Sequence, residues 1–187
     1  MSDHAPPSIS PSIMADIEEG QNLRGWIANA YAQIEYLLGD LILRCRAFPE
    51  YTDETATFPH GAPKRVKRTR QILRKSGPLS PYAAALNSIM ERFEKGHETR
   101  NLLAHGFCEY LYTSTGDTGF QFKKWERQPD RDDALLIRRF RLSDLHAERE
   151  VFVALSQDAL ALFIRIHMDF GWVALGDGPP PRLVDRK

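Results

Sequence analysis

The spacing of apolar residues changes twice along this chain, and these two changes set its fold class. Before residue 106, apolar side chains recur every three or four positions, which is typical of one face of a helix. Between about 107 and 142 they alternate at every second position, as in strands, and then the helical spacing returns. We therefore predict a mainly α protein, a helical bundle with a small antiparallel β-meander inserted before the last helix.

Three long helices are predicted from the helical spacing. The first covers about 22–46 and carries an apolar stripe on one face. The second covers 80–106, where Ser80 is predicted to cap the N-terminus and Gly106 to end the helix in a left-handed conformation. The last helix is predicted to begin with Ser143 as its N-cap. Its main apolar stripe is formed by Phe152, Leu155, Ala159, Leu162 and Ile166.

The region of alternating residues predicts three short strands. Strands at 107–113 and 120–126 flank a run of Gly, Ser, Thr and Asp, which favours a hairpin turn. A third strand is predicted at 135–142. Three strands are stable when one face packs on helices, and Phe120 and Phe122 are predicted to face them.

The chain has the length of one domain with a tail at each end. Its 187 residues fall in the usual range for a single domain. Residues 1–20 contain a Pro- and Ser-rich stretch and are expected to form a mobile lead-in. The domain is expected to span 21–175, with the β insertion at about 107–142, and the Gly- and Pro-rich residues 176–187 are expected to form a tail.

Composition limits the cellular locations and the binding partners that we expect for this protein. Lys plus Arg and Asp plus Glu each number 25, so zero net charge excludes a global attraction to nucleic acid or membranes. The two cysteines, Cys45 and Cys108, indicate reduced thiols instead of a disulfide framework. We find no run of about 20 apolar residues and no basic and apolar signal segment. The sequence therefore predicts a cytoplasmic protein that does not bind membranes.

The segment 98–106, at the end of the second predicted helix, carries the residues best suited to chemistry. Arg100 occupies a position on the apolar stripe, where a charged side chain needs a partner or a polar cleft. Asn101 lies one turn before His105, so the two can share a face. Arginine holds phosphates with two N–H groups, and imidazole transfers protons near neutral pH. The combination favours phosphodiester chemistry, and the alternative is an ordinary histidine at a helix end.

These residues, Arg-Asn-x-x-x-His-Gly from Arg100 to Gly106, resemble the motif of HEPN domains, all-helical modules of prokaryotic defence and toxin systems. The resemblance implies a HEPN-like bundle in which Arg100, Asn101 and His105 are the catalytic residues. It also implies a metal-independent endoribonuclease whose two motifs face each other across a homodimer. A polar residue on an earlier helix often supports this motif, and Glu35 is the candidate here. The alternative for Glu35 is a solvated carboxylate, and the strand-rich insertion departs from the family pattern.

A second candidate binding region is the basic segment 64–75. Seven of its twelve residues are basic and none is acidic, so it forms a dense patch of one sign on a short predicted helix. Such a patch can bind phosphates even on a neutral protein. The alternative is a solvated helix face. The predicted RNA-binding residues are Lys64, Arg65, Lys67, Arg68 and Arg70.

Metal and nucleotide-binding motifs are lacking from the sequence. It contains no H-E-x-x-H, paired C-x-x-C, EF-hand loop, G-x-G-x-x-G or P-loop, so we expect neither a metal nor a cofactor. The leading prediction is cleavage of RNA by attack of its own 2′-hydroxyl. One alternative is a non-catalytic HEPN-like module that binds RNA or nucleotides or assembles proteins. Another is a toxin that a cognate antitoxin protein holds inactive.

Overall fold

The computed structural model describes residues 10–112, 118–128 and 131–172, which form a helical bundle with a three-stranded antiparallel sheet before the last helix. Short 3-10 turns at Cys45–Ala47, Pro49–Tyr51 and Ser80–Tyr82 connect the helices. Within the described part the helices are α1 (Pro11–Arg44), α2 (Thr52–Thr55), α3 (Ala62–Leu73), α4 (Ala83–Lys95), α5 (His97–His105) and α6 (Leu142–Asp169). The strands are β1 (Phe107–Tyr112), β2 (Thr118–Gln128) and β3 (Arg131–Arg141).

Helix α1 begins eleven residues earlier than the sequence predicts. Ser10 is its N-cap and accepts a hydrogen bond from the N–H of Ile13, and Pro11 takes the first helical position. Ile13 and Ile17 are buried, so they extend the apolar stripe through half of the segment that we expected to be a mobile lead-in. The prediction for 1–20 is therefore wrong from residue 11 onward. Residues 1–9 and 173–187 lie outside the described part of the chain.

The second predicted helix is divided into α4 and α5 at Gly96. A Cβ atom added at Gly96 would lie 2.5 Å from Cζ of Phe152, so this junction is pressed against α6. Gly106 is extended, with φ −75° and ψ 142°, and the predicted left-handed cap is therefore wrong. Instead, the guanidinium of Arg24 donates to the carbonyl groups of Leu103 and Gly106, which satisfies the open end of α5.

Helices α1 and α6 run parallel and contain the centre of the core. His146 and His167, near the two ends of α6, lie 3.0 Å from Glu19 and 3.1 Å from Asp40, respectively, so the helices point the same way. The predicted stripe of α6 is buried except for Leu162, which is half-buried. The buried members are Phe152, Leu155, Ala159 and Ile166.

The N-terminus of α6 differs in detail from the prediction. The N-cap is Arg141, and Ser143 lies inside the helix. The carboxylate of Asp144 accepts a hydrogen bond of 2.7 Å from the N–H of Arg141. The carboxylate of Asp144, and not the hydroxyl of Ser143, therefore accepts the hydrogen bond at the N-terminus of α6.

The predicted β-meander is present, with β2 between β1 and β3. Phe120 and Phe122 are each 1% exposed and pack into the core, as predicted, and Phe140 of β3 joins them. β2 and β3 are longer than predicted, at eleven residues each. The predicted turn between β1 and β2 falls mostly at 113–117, outside the described residues.

By length and composition alone, one of the described helices, α6, could cross a membrane. Its most apolar 18-residue window has a mean hydropathy of 1.5, and 33% of that window is buried. Our expectation that the chain has no membrane span stays a prediction. A core helix meets the same criterion, and the inner face of α6 packs along α1.

Candidate functional site

Arg100 lies in a polar cluster between α1 and α5. Its guanidinium carbon lies 4.5 Å from the ring centre of Tyr31, and Nη1 donates a 2.9 Å hydrogen bond to Oδ1 of Asn101. Nη2 lies 3.9 Å from Oε2 of Glu35. The side chain is 19% exposed, and its Nε is buried without a hydrogen-bond partner. The arginine on the apolar stripe thus has polar partners, while its buried Nε has none.

His97, which sequence reasoning did not assign to the site, forms the other half of this cluster. Its Nε2 lies 2.9 Å from Nδ2 of Asn101, and its Nδ1 lies 2.6 Å from the hydroxyl of Tyr31. Because Oδ1 of Asn101 accepts from Arg100, the amide nitrogen of Asn101 faces His97 as a donor. Nε2 is therefore the acceptor, and Nδ1 carries the proton of the neutral imidazole.

The protonation states in this cluster follow from burial. Burial lowers the pKa of His97, and the nearby charges of Arg100 and Lys124 lower it further. Burial also raises the pKa of the Tyr31 phenol, which stays protonated near neutral pH. The cluster therefore holds a neutral imidazole and a neutral phenol next to a permanent cation.

Glu35 connects the cluster to α3. One carboxylate oxygen lies 3.5 Å from Nη1 of Arg65 and the other 3.9 Å from Nη2 of Arg100, while the backbone carbonyl of Glu35 accepts from Arg65 at 2.9 Å. All three side chains are about one-fifth exposed. The structure thus places Glu35 beside Arg100, where the HEPN resemblance implies a supporting polar residue. The alternative of a solvated carboxylate is wrong.

His105 lies outside this cluster. It is exposed at the end of α5, and it makes no hydrogen bond or ion pair within the part of the chain that the structure describes. Asn101 turns towards His97, one turn earlier, instead of towards His105. Of the four predicted catalytic residues, the structure brings together Arg100, Asn101 and Glu35 and leaves His105 free in solvent.

Two cations from the sheet border the N-terminal end of α5, opposite to His105. Nη1 of Arg138 on β3 donates a 3.0 Å hydrogen bond to Oγ1 of Thr99. Lys124 on β2 is close enough to lower the pKa of His97, and its Nζ pairs with Glu126 at 3.1 Å. Arg100 of α5 and Lys124 of β2 thus place positive charge near the imidazole of His97, while Arg138 of β3 lies at Thr99 and Arg65 of α3 lies beside Glu35. Positive charge in this region would favour a phosphate group.

The basic segment 64–75 is less available than predicted. α3 buries Val66 and Ile72, and its lysines Lys64 and Lys67 are exposed, with no hydrogen bond or ion pair in the described part of the molecule. Because these two lysines are exposed, they are accessible to a phosphate.

The three arginines predicted with them are engaged within the protein. Arg65 donates to the carbonyl groups of Pro59 and Glu35. Arg68 donates to the carbonyl groups of Glu54 and Thr57, and Arg70 forms a two-bond pair with Glu94 at 3.0 and 2.6 Å. These arginines link α3 to neighbouring segments, so they are less accessible than we expected, and the assignment of the five residues to RNA binding stays a prediction.

Among the described residues, no three or more His, Cys, Asp or Glu side chains are placed to hold a metal ion.

Comparison with known proteins identifies no family for this chain. No protein-family model, curated protein or solved structure matches this chain. The HEPN assignment therefore stays a prediction that rests on the Arg-Asn-x-x-x-His-Gly segment.

The spacing of residues in the sequence is consistent with the roles of His97 and Tyr31 in this cluster. His97 and Asn101 are four residues apart on one helix, as are Tyr31 and Glu35, and side chains at this spacing are neighbours. The link between the two pairs depends on the contact of α1 with α5, which spacing along one helix does not give.

Proposed function

We propose that this protein is a metal-independent endoribonuclease whose phosphate-binding residue is Arg100. The observation that carries the proposal is the buried, unpartnered Nε of Arg100 inside a cluster that fixes the rest of the guanidinium. A buried N–H donor without a partner is costly for a protein to keep, by about 1–3 kcal/mol. A phosphate oxygen would pair with the positive charge of the guanidinium, and it would satisfy this donor if the side chain turned to bring Nε within its reach.

The reaction needs one proton acceptor and one proton donor. The 2′-hydroxyl oxygen forms a bond to the adjacent phosphorus and loses its proton to a neutral imidazole, and the bond from phosphorus to the 5′ oxygen breaks. The departing oxygen takes a proton from an acid, which leaves a 2′,3′-cyclic phosphate and a 5′-hydroxyl. His105 is exposed and makes no hydrogen bond or ion pair within the described residues, so its imidazole is accessible to RNA. Arg100 stabilises the charge that develops on the phosphoryl oxygens.

A homodimer would complete this site. No hydrogen bond joins His105 to Arg100 within the described part of one chain, and one imidazole cannot be base and acid at the same moment. Pairing across a two-fold axis, the commonest symmetry of oligomers, would supply two arginines and two histidines to one groove. A cognate antitoxin protein stays a prediction of the HEPN resemblance.

A second candidate function is a non-catalytic module that binds RNA or assembles proteins. It is favoured by the depth of Arg100, which is four-fifths buried and lies against Glu35 and Tyr31. In that case the arginine would fix the bundle, and the unused Nε would be a structural feature only.

Incubation of RNA with the purified protein in excess chelator separates the two candidates. The endoribonuclease cleaves the RNA, and both His105→Ala and Arg100→Gln abolish cleavage while keeping the helical circular dichroism spectrum. A non-catalytic module leaves the RNA intact. Equal cleavage by wild type and His105→Ala would contradict the role of His105.

A further inference from the structure

The outer face of the sheet exposes an aromatic and aliphatic surface that the proposed site does not use. Side chains alternate across a strand, so the residues opposite to the buried Phe120 and Phe122 point away from the helices. Phe107 is 67% exposed and Trp125 is 69% exposed. The exposed aliphatic residues that share this face are Leu111, Leu135 and Ile137. We call these five residues the outer sheet surface.

The strand register brings the two aromatic rings near each other. Phe107 pairs with Lys123, and Trp125 is the next residue of β2 on the same face, so the two rings are diagonal neighbours across β1 and β2. Diagonal neighbours are roughly 7–8 Å apart, which is within reach of aromatic side chains. On the other side, Trp125 pairs with Leu135. Two exposed rings on a rigid sheet form a platform on which bases can stack.

The charges on this face favour a polyanion. Lys123 pairs with Glu109 at 2.6 Å, and Arg139 donates a 2.7 Å hydrogen bond to the neutral amide oxygen of Gln121. Arg141 is exposed at the end of β3. Among the charged side chains described on this face, three are basic and one is acidic, a balance that attracts phosphates. Two copies of the same face would repel each other.

The outer sheet surface also lies next to His105, one residue of the proposed site. Only Gly106 separates the exposed His105 from Phe107, so the ends of α5 and β1 meet where the imidazole enters solvent. An RNA strand whose bases lie on Phe107 and Trp125 would therefore have its backbone near His105.

We infer that the outer sheet surface binds single-stranded RNA by stacking bases on Phe107 and Trp125. This inference rests on the proposed function, because it places the RNA beside His105. Binding of RNA by the two rings can nevertheless be measured separately from cleavage. It names single-stranded RNA as the substrate class, since the bases of a duplex are already stacked on each other and cannot lie on the rings.

The test is fluorescence anisotropy with a labelled single-stranded uridine dodecamer and with a labelled RNA duplex. Trp125→Leu and Phe107→Leu keep an apolar side chain but remove the ring, and each should weaken single-strand binding roughly tenfold, the effect of one lost stacked base. Trp125→Phe keeps a ring and should bind within about twofold of wild type. Tyr36→Leu is the matched control, because Tyr36 is 68% exposed on α1, away from the sheet, and should bind like wild type.

The outcomes separate this inference from the proposed function. If wild type binds the dodecamer and the two leucine variants bind it equally well, the outer sheet surface is not the RNA site. If Trp125→Leu instead turns a dimer into a monomer in sedimentation while RNA affinity is unchanged, the surface is a protein interface and the inference is overturned. If the ring variants lose binding but wild type cleaves nothing, the inference holds and the endoribonuclease proposal fails.

Discussion

Nδ2 of Asn101 lies 2.9 Å from Nε2 of His97, one helical turn before it, and no hydrogen bond joins Asn101 to His105 in the described part of the chain. A chain of contacts therefore runs from Tyr31 through His97 and Asn101 to Arg100. These contacts position the guanidinium, and none of them involves His105. In the proposed reaction, His97 is a positioning residue and His105 is the group that meets the RNA.

The buried position of His97 predicts a pH dependence of stability. The folded protein lowers the pKa of His97 below its ordinary value of 6.5, so the unfolded chain takes up a proton more readily than the folded one. The free energy of unfolding should therefore fall as the pH drops from about 7 to about 5.5. His97→Gln should flatten this dependence, as measured by urea unfolding at a series of pH values.

A control for this experiment is His167→Gln. Burial also lowers the pKa of His167, so this variant removes a second contribution of the same sign and keeps that of His97. The double variant should have the flattest profile of all. A profile for His97→Gln that is as steep as that of wild type would show that His97 does not titrate as this cluster requires.

Helix α3 offers a comparison between free lysines and engaged arginines. Lys64→Ala and Lys67→Ala should change the free energy of unfolding by less than about 0.5 kcal/mol, because these side chains are exposed and make no described contacts. Arg65→Ala and Arg68→Ala should each lower it by about 1–3 kcal/mol, since each loses charged hydrogen bonds to backbone carbonyls. Urea unfolding measures all four variants.

The same lysines test phosphate binding. If Lys64 and Lys67 bind the backbone of single-stranded RNA, removing both should reduce the slope of log affinity against log salt by about 1.4. A slope equal to that of wild type would identify them as solvated residues only.

Gly96 is predicted to be intolerant of a side chain although it lies between two helices. Gly96→Ala gains helix propensity, yet its Cβ would lie 2.5 Å from the buried ring of Phe152, so we expect a net loss of about 1–3 kcal/mol. Gly25→Ala is the control, because a Cβ on this exposed glycine of α1 meets no atom within 4 Å. It should raise the stability by about 0.5–1 kcal/mol. Equal effects of the two changes would contradict the close packing of α6 at Gly96.

The shared site is tested by mixing two inactive variants. In a heterodimer of His105→Ala and Arg100→Gln chains, the shared groove keeps one Arg100 and one His105, and they come from different chains. The mixture should therefore recover part of the cleavage that each variant lacks, at a rate below that of wild type. No recovery, in a mixture where mass spectrometry shows heterodimers, would mean that each site belongs to a single chain.

The fold follows from the sequence wherever one periodicity decides it. The stripe of α6 and the inward positions of Phe120 and Phe122 are confirmed, because burial on one face leaves a direct pattern in the chain. The helix ends were harder to predict. Gly106 has the residue type of a left-handed cap, but Arg24, 82 residues away in sequence, supplies the capping contacts.

The candidate site was predicted in part, for the same reason. Arg100 stood out because a cation on an apolar stripe needs a partner, and Glu35 is that partner. The role of His97 depends on Tyr31 reaching it from α1, 66 positions earlier in the chain. The charge pattern of α3 likewise could not show which of its cations have partners within the protein. Arg65 and Arg68 donate to backbone carbonyls, and every residue has a carbonyl, so the sequence does not reveal these contacts.

The central claim is that RNA is cleaved by its own 2′-hydroxyl with no metal, and the chemistry of the product ends tests it most directly. A homogeneous RNA is incubated with the protein in excess chelator, and the fragments are analysed by mass spectrometry. We predict 2′,3′-cyclic phosphate and 5′-hydroxyl ends from wild type and no fragments from His105→Ala. Fragments with 3′-hydroxyl and 5′-phosphate ends, or the same fragments from His105→Ala, would contradict the mechanism.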